Sequence, residues 1–477
     1  MTLGKKTFQG VKWTSISAIS RATLQLLLLA IAARYLSPDL FGLYAIVQIT
    51  LGFCQLFMDM GLGNAIIHSQ TVKTRHLSEL FIVNMLIATC ISLLTYLFAN
   101  NIAIFFQAEK LPSLIQLVSP SFILAALFRM HLVVLQKELA FSLIAKIEVV
   151  AQVIAFSCTL AGFVNGWRVE ALIIGYMISL VTQGALYWYF SPYKLVLCWP
   201  ESFSELRNYF SFGAYQTADA TVNYFNSQFD VILVGKLLGS EILGGYALAR
   251  QFCFRPAMVI NPILTRVAFP VMAKLQYSKR LPGLYCKLSR LLASINFPLY
   301  LAMAFFAKPL VLLLFGEKWV PIAPTFQLLA MWCLIRSTMN PVGSLLMAIG
   351  KVKRSFVWNS VLLLFIPLSV YLGSWYGLTG VASALLILQL ILLFAHWYFL
   401  LKKGASIKGV QFFRSLLVPL IIGCIAYGCA YFMSQFIDNE IMTLIVGLSV
   451  GAITYLLISL KYNDELIKVL KGKLSFE

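Results

Sequence analysis

Eight ionisable side chains lie in segments that are otherwise apolar enough to cross a membrane: Arg21, Asp59, Arg129, Asp219, Asp230, Arg250, Arg255 and Arg336. A charge at the centre of a membrane helix costs about 2.5–3.5 kcal/mol on insertion scales, so such residues mark substrate or ion pathways. Five cations against three anions leave the interior positive. An anionic cargo offsets that imbalance. Phosphate and diphosphate suit guanidinium, whose planar fork binds two oxygens at once. A charge pair 4 Å apart is worth about 4 kcal/mol at an effective dielectric of about 20, before desolvation.

By position, Arg21 and Arg336 sit near the middle of their spans, and Arg250 and Arg255 lie about one and a half and three turns into theirs. These four, with Gln25 and Asn223, are the candidate substrate-binding residues. Asp59 and Asp219 are candidates for coupling to H+ or Na+. Plainer roles compete with each assignment. Arg129 fits a cytoplasmic helix end, and Arg250 a side chain snorkelling to the outer surface. Asp230 fits a solvated outer end, and Arg21 with Asp219 a structural clamp. Asp59, in Phe-Met-Asp-Met-Gly-Leu-Gly, also fits a role in satisfying backbone freed beside the glycines. Arg255-Pro256, Asn261-Pro262 and Asn340-Pro341 mark helix breaks, found in transporters and in ordinary kinks alike.

The surrounding elements follow from composition. The chain has 477 residues, 60% of them hydrophobic and 12% charged. A soluble chain is nearer half apolar and a quarter charged. The apolar runs are about 20 residues long, as membrane helices require, not alternating runs of about 10. The predicted fold class is therefore an all-α integral membrane protein. Its fourteen transmembrane helices fall at roughly 11–35, 40–67, 79–101, 112–136, 142–164, 168–190, 208–235, 244–270, 287–307, 323–349, 356–376, 378–400, 411–434 and 441–460. At about 23 residues each they use about 320 residues, leaving no room for a sizeable soluble catalytic or ATP-hydrolysing domain. Arg21 and Gln25 interrupt the first span, which argues against a cleaved signal peptide.

Charge fixes the expected orientation. With a cytoplasmic N-terminus, 26 of the 37 Lys and Arg fall on inner segments, 6 on outer ones and 5 within spans. The net charge of +19 then divides as +18 inside, −1 outside and +2 in the membrane. That is the positive-inside pattern, with both termini inside. It accounts for the basic character through anionic inner-leaflet lipid. The short basic loops lack the interleaved aromatic platforms of a nucleic-acid binder, so no nucleic-acid partner is expected.

No cofactor, metal or catalytic constellation is expected. The nine cysteines form no C-x-x-C pair, and His68, His76, His131 and His396 are scattered. There is no G-x-x-x-x-G-K-[ST], G-x-S-x-G or H-E-x-x-H, so the chain reads as a non-enzyme driven by an ion gradient, the membrane potential or the cargo gradient.

The chain also repeats itself. Arg34-Tyr-Leu-Ser-Pro-Asp-Leu-Phe-Gly-Leu-Tyr-Ala45 matches Lys236-Leu-Leu-Gly-Ser-Glu-Ile-Leu-Gly-Gly-Tyr-Ala247 at a constant offset of 202. At the same offset, Thr14, Ser17, Arg21 and Gln25 correspond to Gln216, Asp219, Asn223 and Ser227. Each set has 3-4-4 spacing and so lies on one helical face, which must meet a partner helix or a wet cavity. Six spans separate the copies, so the repeat is parallel about an axis along the membrane normal. The expected domains are an N-lobe of six helices at 1–207, a C-lobe of six at 208–402, and two further helices with a cytoplasmic tail at 403–477.

Gly-Val-Lys-Trp (10–13), Ala-Ala-Arg-Tyr-Leu-Ser-Pro-Asp-Leu-Phe-Gly-Leu-Tyr-Ala (32–45), Met-Asp-Met-Gly-Leu-Gly-Asn-Ala-Ile-Ile (58–67) and Phe-Asp-Val-Ile-Leu-Val-Gly-Lys-Leu-Leu-Gly (229–239) carry a family likeness. Together they resemble the polysaccharide-transporter branch of the MOP superfamily, the Wzx-type flippases similar to colanic acid and teichuronic acid exporters. The resemblance implies two pseudo-symmetric lobes around a central cationic cavity and transport by alternating access. It implies a cargo of oligosaccharide repeat units on undecaprenyl pyrophosphate. These would be flipped across the bacterial inner membrane for exopolysaccharide or O-antigen biosynthesis, with polysaccharide polymerase and export machinery as partners. The family's diphosphate-binding arginines in its first and eighth helices fall here on Arg21, Arg255 and Arg250, while Asn223 stands where a symmetric site would repeat Arg21. An ion-coupled drug/cation antiporter of the same superfamily would call for an anionic cavity. A membrane-embedded polymerase or acyltransferase would call for a long outer loop or a concentrated His and acid site.

Overall fold

A computed structural model describes residues 3–59, 63, 66, 74–193, 203–463, 465 and 467. Among these residues every regular element is a helix. In the first part of the chain these are α1 (Leu3–Tyr35), α2 (Pro38–Asp59), α3 (Thr74–Leu97), α4 (Ala99–Phe106), α5 (Leu111–Val118), α6 (Ser121–Lys137), α7 (Phe141–Val164) and α8 (Val169–Phe190). Next comes α9 (Phe203–Lys274), then α10 (Leu281–Phe305), α11 (Ala307–Phe315), a 3-10 turn (Glu317–Ile322), α12 (Ala323–Met339) and α13 (Pro341–Ala348). The last are α14 (Val352–Ser374), α15 (Gly377–His396), a π turn (Trp397–Lys402), α16 (Gly409–Ser434) and α17 (Glu440–Tyr462).

Thirteen segments among the described residues are long and apolar enough to cross a membrane. One of them, Ala220–Thr265, runs for 46 residues. At 1.5 Å per residue that is about 69 Å, more than twice the roughly 30 Å hydrocarbon core. Inside it Gly239 is non-helical, with φ 85° and ψ 172°, a conformation that glycine adopts without a Cβ penalty. Other expected spans are interrupted where the sequence supplies a break. The fourth is two helices meeting at Pro120, and the tenth is broken at Pro341.

Contacts group the chain into two compact units, residues 1–244 and 245–477. In the first, α1 packs on α7, α7 on α8, and α8 on α6. Small residues let these helices approach, the usual device where lipid tails compete for every apolar face. A Cβ on Gly175 would strike the Thr159 hydroxyl, and one on Gly184 would enter the Phe128 ring. In the second unit α10 packs on α16 and α12, α16 on α17, and α12 on α15. Gly423 faces Leu301, and Gly451 faces Tyr427.

The two copies of the internal repeat meet within the first unit. A Cβ on Gly42 would collide with the Ser240 carbonyl, and a Cβ on Gly244 would collide with the Pro38 carbonyl. Pro38 and Ser240 are themselves 202 residues apart, as are Gly42 and Gly244. Each copy therefore presents its glycine to the other copy's helix start, the reciprocal pattern of a two-fold contact. Ser240 Oγ also donates to Asp39 Oδ1. Backbone cannot step aside as a flexible side chain would. Gly42→Ala and Gly244→Ala are each expected to destabilise the fold by about 1–3 kcal/mol through overpacking. The check is thermal melting of purified protein, where Gly283→Ala, with nothing near its would-be Cβ, is the unaffected control.

Candidate functional site in the membrane helices

In the first unit the polar face of α1 meets α7. Arg21 Nη1 lies 3.1 Å from Glu148 Oε2, and Ser17 Oγ donates to the same oxygen at 3.3 Å. Ser17, Arg21 and Gln25 follow one another at four-residue intervals, so they share the face. Glu148 stands about two turns into α7, well inside a membrane-spanning segment. The side chains of Arg21 and Glu148 are 37% and 23% exposed, so the pair is only partly covered by neighbouring helices. Arg129 on α6 and the buried Tyr187 on α8 belong to the same neighbourhood. The Tyr187 hydroxyl is within electrostatic reach of Glu148, Arg21 and Arg129 and has no hydrogen-bond partner among the described residues. Lys146, half a turn before Glu148, lies with its ammonium 5.0 Å from the Trp13 ring centre.

In the second unit two guanidinium groups share one aromatic ring. Arg250 Cζ lies 4.4 Å from the centre of Phe254. Arg336 Cζ lies 5.2 Å from Phe254 and 5.2 Å from Trp332. The Phe254 and Trp332 rings are themselves 5.3 Å apart. Local helix geometry arranges this. Phe254 is four residues after Arg250 on α9, and Trp332 four before Arg336 on α12, the spacing that stacks side chains on a helix surface. A ring face attracts a cation and holds it in place, so Phe254 and Trp332 fix where the two guanidinium groups sit. Arg250 is only 6% exposed, which replaces the expected alternative of snorkelling to the surface. Arg255 and Arg336 are half-buried.

The proline breaks supply the frame for these arginines. Pro341 has no N–H to offer the carbonyl of Ser337, four residues before it. Asn261 Nδ2 donates to that carbonyl instead, at 2.8 Å. Asn261 Oδ1 accepts from Asn296 Nδ2 at 3.0 Å. Beside Pro256, the Ala257 N–H donates to the Tyr300 hydroxyl at 3.2 Å. Broken helices thus repair one another, which is how proline is tolerated in membrane helices. Asn261→Leu leaves the Ser337 carbonyl and the Asn296 amide unpaired, at about 1–3 kcal/mol for each buried group. A clear fall in apparent melting temperature is expected, and Gly283→Ala should show none.

Among the residues expected from sequence, the structure brings Arg250 and Arg336 together on Phe254. It places Arg255 next along α9, and puts Arg21 and Gln25 on one face of α1. Asn223 is exposed and Asp230 is 3% exposed. The side chains of Asp59, Asp219, Thr14 and Gln216 lie outside the described residues. Glu148 is the residue that sequence reasoning missed: it is a fourth intramembrane acid, and it takes Arg21 as its partner. Its position seven residues after the start of an apolar helix was the available signal. Among the described residues no group of three His, Cys, Asp or Glu is placed to hold a metal.

Comparison with known proteins agrees with this architecture. The profile of a family described as polysaccharide biosynthesis protein matches residues 31–324. The chain is 31% identical to the teichuronic acid biosynthesis protein TuaB of Bacillus subtilis (strain 168), over 99% of this chain and 100% of that protein. It is 31% identical to the lipopolysaccharide biosynthesis protein WzxC of Escherichia coli (strain K12), over 88% and 86% of the two chains. Its fold is similar to that of the lipid II flippase MurJ in an inward closed conformation, with a TM-score of 0.78 at 16% identity over 95% and 99% of the chains. A multi-pass helical membrane protein with this match over more than half its length belongs to the polysaccharide biosynthesis protein family.

Proposed function

We propose that the protein is a flippase that carries oligosaccharide repeat units, linked to undecaprenyl pyrophosphate, across the bacterial inner membrane for surface polysaccharide synthesis. The observation that carries this reading is the pair of guanidinium groups, Arg250 and Arg336, held on the Phe254 ring inside membrane helices. Charges this costly to insert are retained for a ligand, and the ligand that suits two forks is a diphosphate. Arg255 adds a further guanidinium one residue from Phe254, and Arg21, in the first unit, is a separate intramembrane arginine paired with Glu148. The names of TuaB, WzxC and the lipid II flippase MurJ support the same cargo class.

Reading Ala220–Thr265 as two crossings that turn at Gly239 gives fourteen spans, with both termini cytoplasmic by the positive-inside pattern. The repeat then defines two six-helix lobes, at 1–207 and 208–402, that rock against each other in alternating access. Asp59 and Asp219 remain the proposed sites for H+ or Na+ coupling, and Gln25 and Asn223 line the cargo's path. Polymerase and export machinery are the proposed partners on release, and no catalytic step is part of the mechanism.

The test is transport by inverted membrane vesicles of a lipid-diphosphate oligosaccharide, run beside efflux of a cationic dye. Flipping of the glycolipid without dye efflux is expected. Dye efflux without flipping would point instead to a drug antiporter.

A further inference from the structure

The second unit holds a cavity lined by none of the candidate arginines. It has a volume of about 740 Å³ and lies between the 304–324 segment and the turn that joins α16 to α17. That is within the usual range for a small-molecule site. Its wall is mixed. Phe305 and Tyr431 form an aromatic side, their ring centres 5.9 Å apart. Gln327, Gln435 and Asp438 present planar polar groups beside it.

The cavity is built rather than incidental. Asn439 caps α17, its Oδ1 accepting from the backbone N–H groups of Ile441 and Met442 at 2.9 and 3.2 Å. Thr443 Oγ1 donates to the Ile437 carbonyl at 3.1 Å and Ser434 Oγ to the Tyr431 carbonyl at 2.8 Å. Lys308 Nζ lies 2.5 Å from Glu440 Oε1 and ties α11 to α17 across the rim. The hydrogen bond to Glu440, and then the charge of its carboxylate, raise the Lys308 pKa above that of an ordinary lysine. A wall fixed in this way loses little freedom on binding.

Charge places the cavity and selects its ligand. The helix ends on this side of the unit carry Lys308, Glu317, Lys318, Asp438 and Glu440, a net charge of −1. The opposite ends carry Lys279, Arg280, Lys287, Arg290, Lys351, Lys353, Arg354, Lys402 and Lys403, so this side is the outer one by the positive-inside rule. Lys308 and Glu440 neutralise each other, which leaves Asp438 in excess over the cavity. A phosphate is repelled there, and an acyl chain would desolvate the glutamines and the aspartate without replacing their hydrogen bonds. A sugar meets both demands. Its C–H face lies on aromatic rings, and its hydroxyls both donate to and accept from amides and carboxylates.

We infer that this cavity is an outer-face subsite for the saccharide portion of the cargo, occupied as the oligosaccharide emerges and before it passes to the next enzyme. The inference rests on the flippase reading. The probe is the oligosaccharide cleaved by mild acid from the cell's own lipid-linked pool, followed by saturation-transfer NMR on protein in nanodiscs. Wild type and Gly283→Ala are expected to bind it, while Tyr431→Ala and Gln435→Ala each weaken binding at least tenfold. Asp438→Asn, which keeps the shape and removes the charge, is expected to bind it and to admit anionic saccharides better. Binding unchanged in Tyr431→Ala and Gln435→Ala overturns the inference. Flipping assayed in the same preparation separates the two readings. No saccharide binding with intact flipping removes the subsite alone, and loss of both removes the function as well.

Discussion

Arg336→Ala is expected to slow flipping of a lipid-linked diphosphate by about 10- to 100-fold. A hydrogen bond to a charged group contributes about 1.5–3 kcal/mol, and each 1.4 kcal/mol is a factor of about ten. Arg336 sits at the centre of the aromatic set, touching both Phe254 and Trp332. Arg336→Lys keeps the charge and loses the fork, so it should fall between wild type and alanine. Arg250→Ala should behave like Arg336→Ala, and the double variant should lose less than the product of the two, because both groups share Phe254 and one ligand. Initial flipping rates in reconstituted vesicles, normalised to folded protein, check the series.

Arg21→Ala is expected to do two kinds of damage that a second substitution can separate. It removes a cation from the cargo's path, and it leaves Glu148 as a half-buried carboxylate facing Ser17 and Tyr187 without its guanidinium. Stranding one partner of a buried pair costs more than deleting both. Arg21→Ala should therefore lower both melting temperature and transport. Adding Glu148→Ala should recover the melting temperature and leave transport down about tenfold or more. Glu148→Gln alone should tighten diphosphate binding and slow its release, because Arg21 no longer has to leave a carboxylate to reach a phosphate. The pair is more than a third exposed at Arg21, so screening holds the expected gain to about 1 kcal/mol, or roughly fivefold in affinity. Transport restored fully in the double variant would show that Arg21 serves the fold and not the cargo.

Much of this arrangement is legible in the amino-acid order, for identifiable reasons. Period and length expose a membrane helix because hydrocarbon leaves the backbone no alternative. The offset of 202 exposes the repeat, and its glycines expose the crossing, since no residue with a Cβ fits between Gly42 and the Ser240 carbonyl. Arg250 and Arg336 stand out because charge inside an apolar run is costly. Their ring partners were within reach of the same logic: Phe254 and Trp332 sit four residues away on the same helix faces.

Other features were hidden. Glu148 stands about two turns into its span beside Lys146, and little in the sequence singles it out from the charges of that helix start until α1 is packed against α7. The bond from Asn261 to the Ser337 carbonyl joins helices 76 residues apart, and sequence order carries no signal of which helices meet. The outer cavity is assembled from six elements, none of them unusual alone.

The most direct measurement is the affinity of the purified protein in nanodiscs for undecaprenyl diphosphate compared with undecaprenyl monophosphate. If intramembrane guanidinium groups hold the cargo's head, the diphosphate binds at least tenfold tighter, and that preference collapses in Arg250→Ala and Arg336→Ala. Equal affinity for the two lipids, unchanged in both variants, would contradict the account.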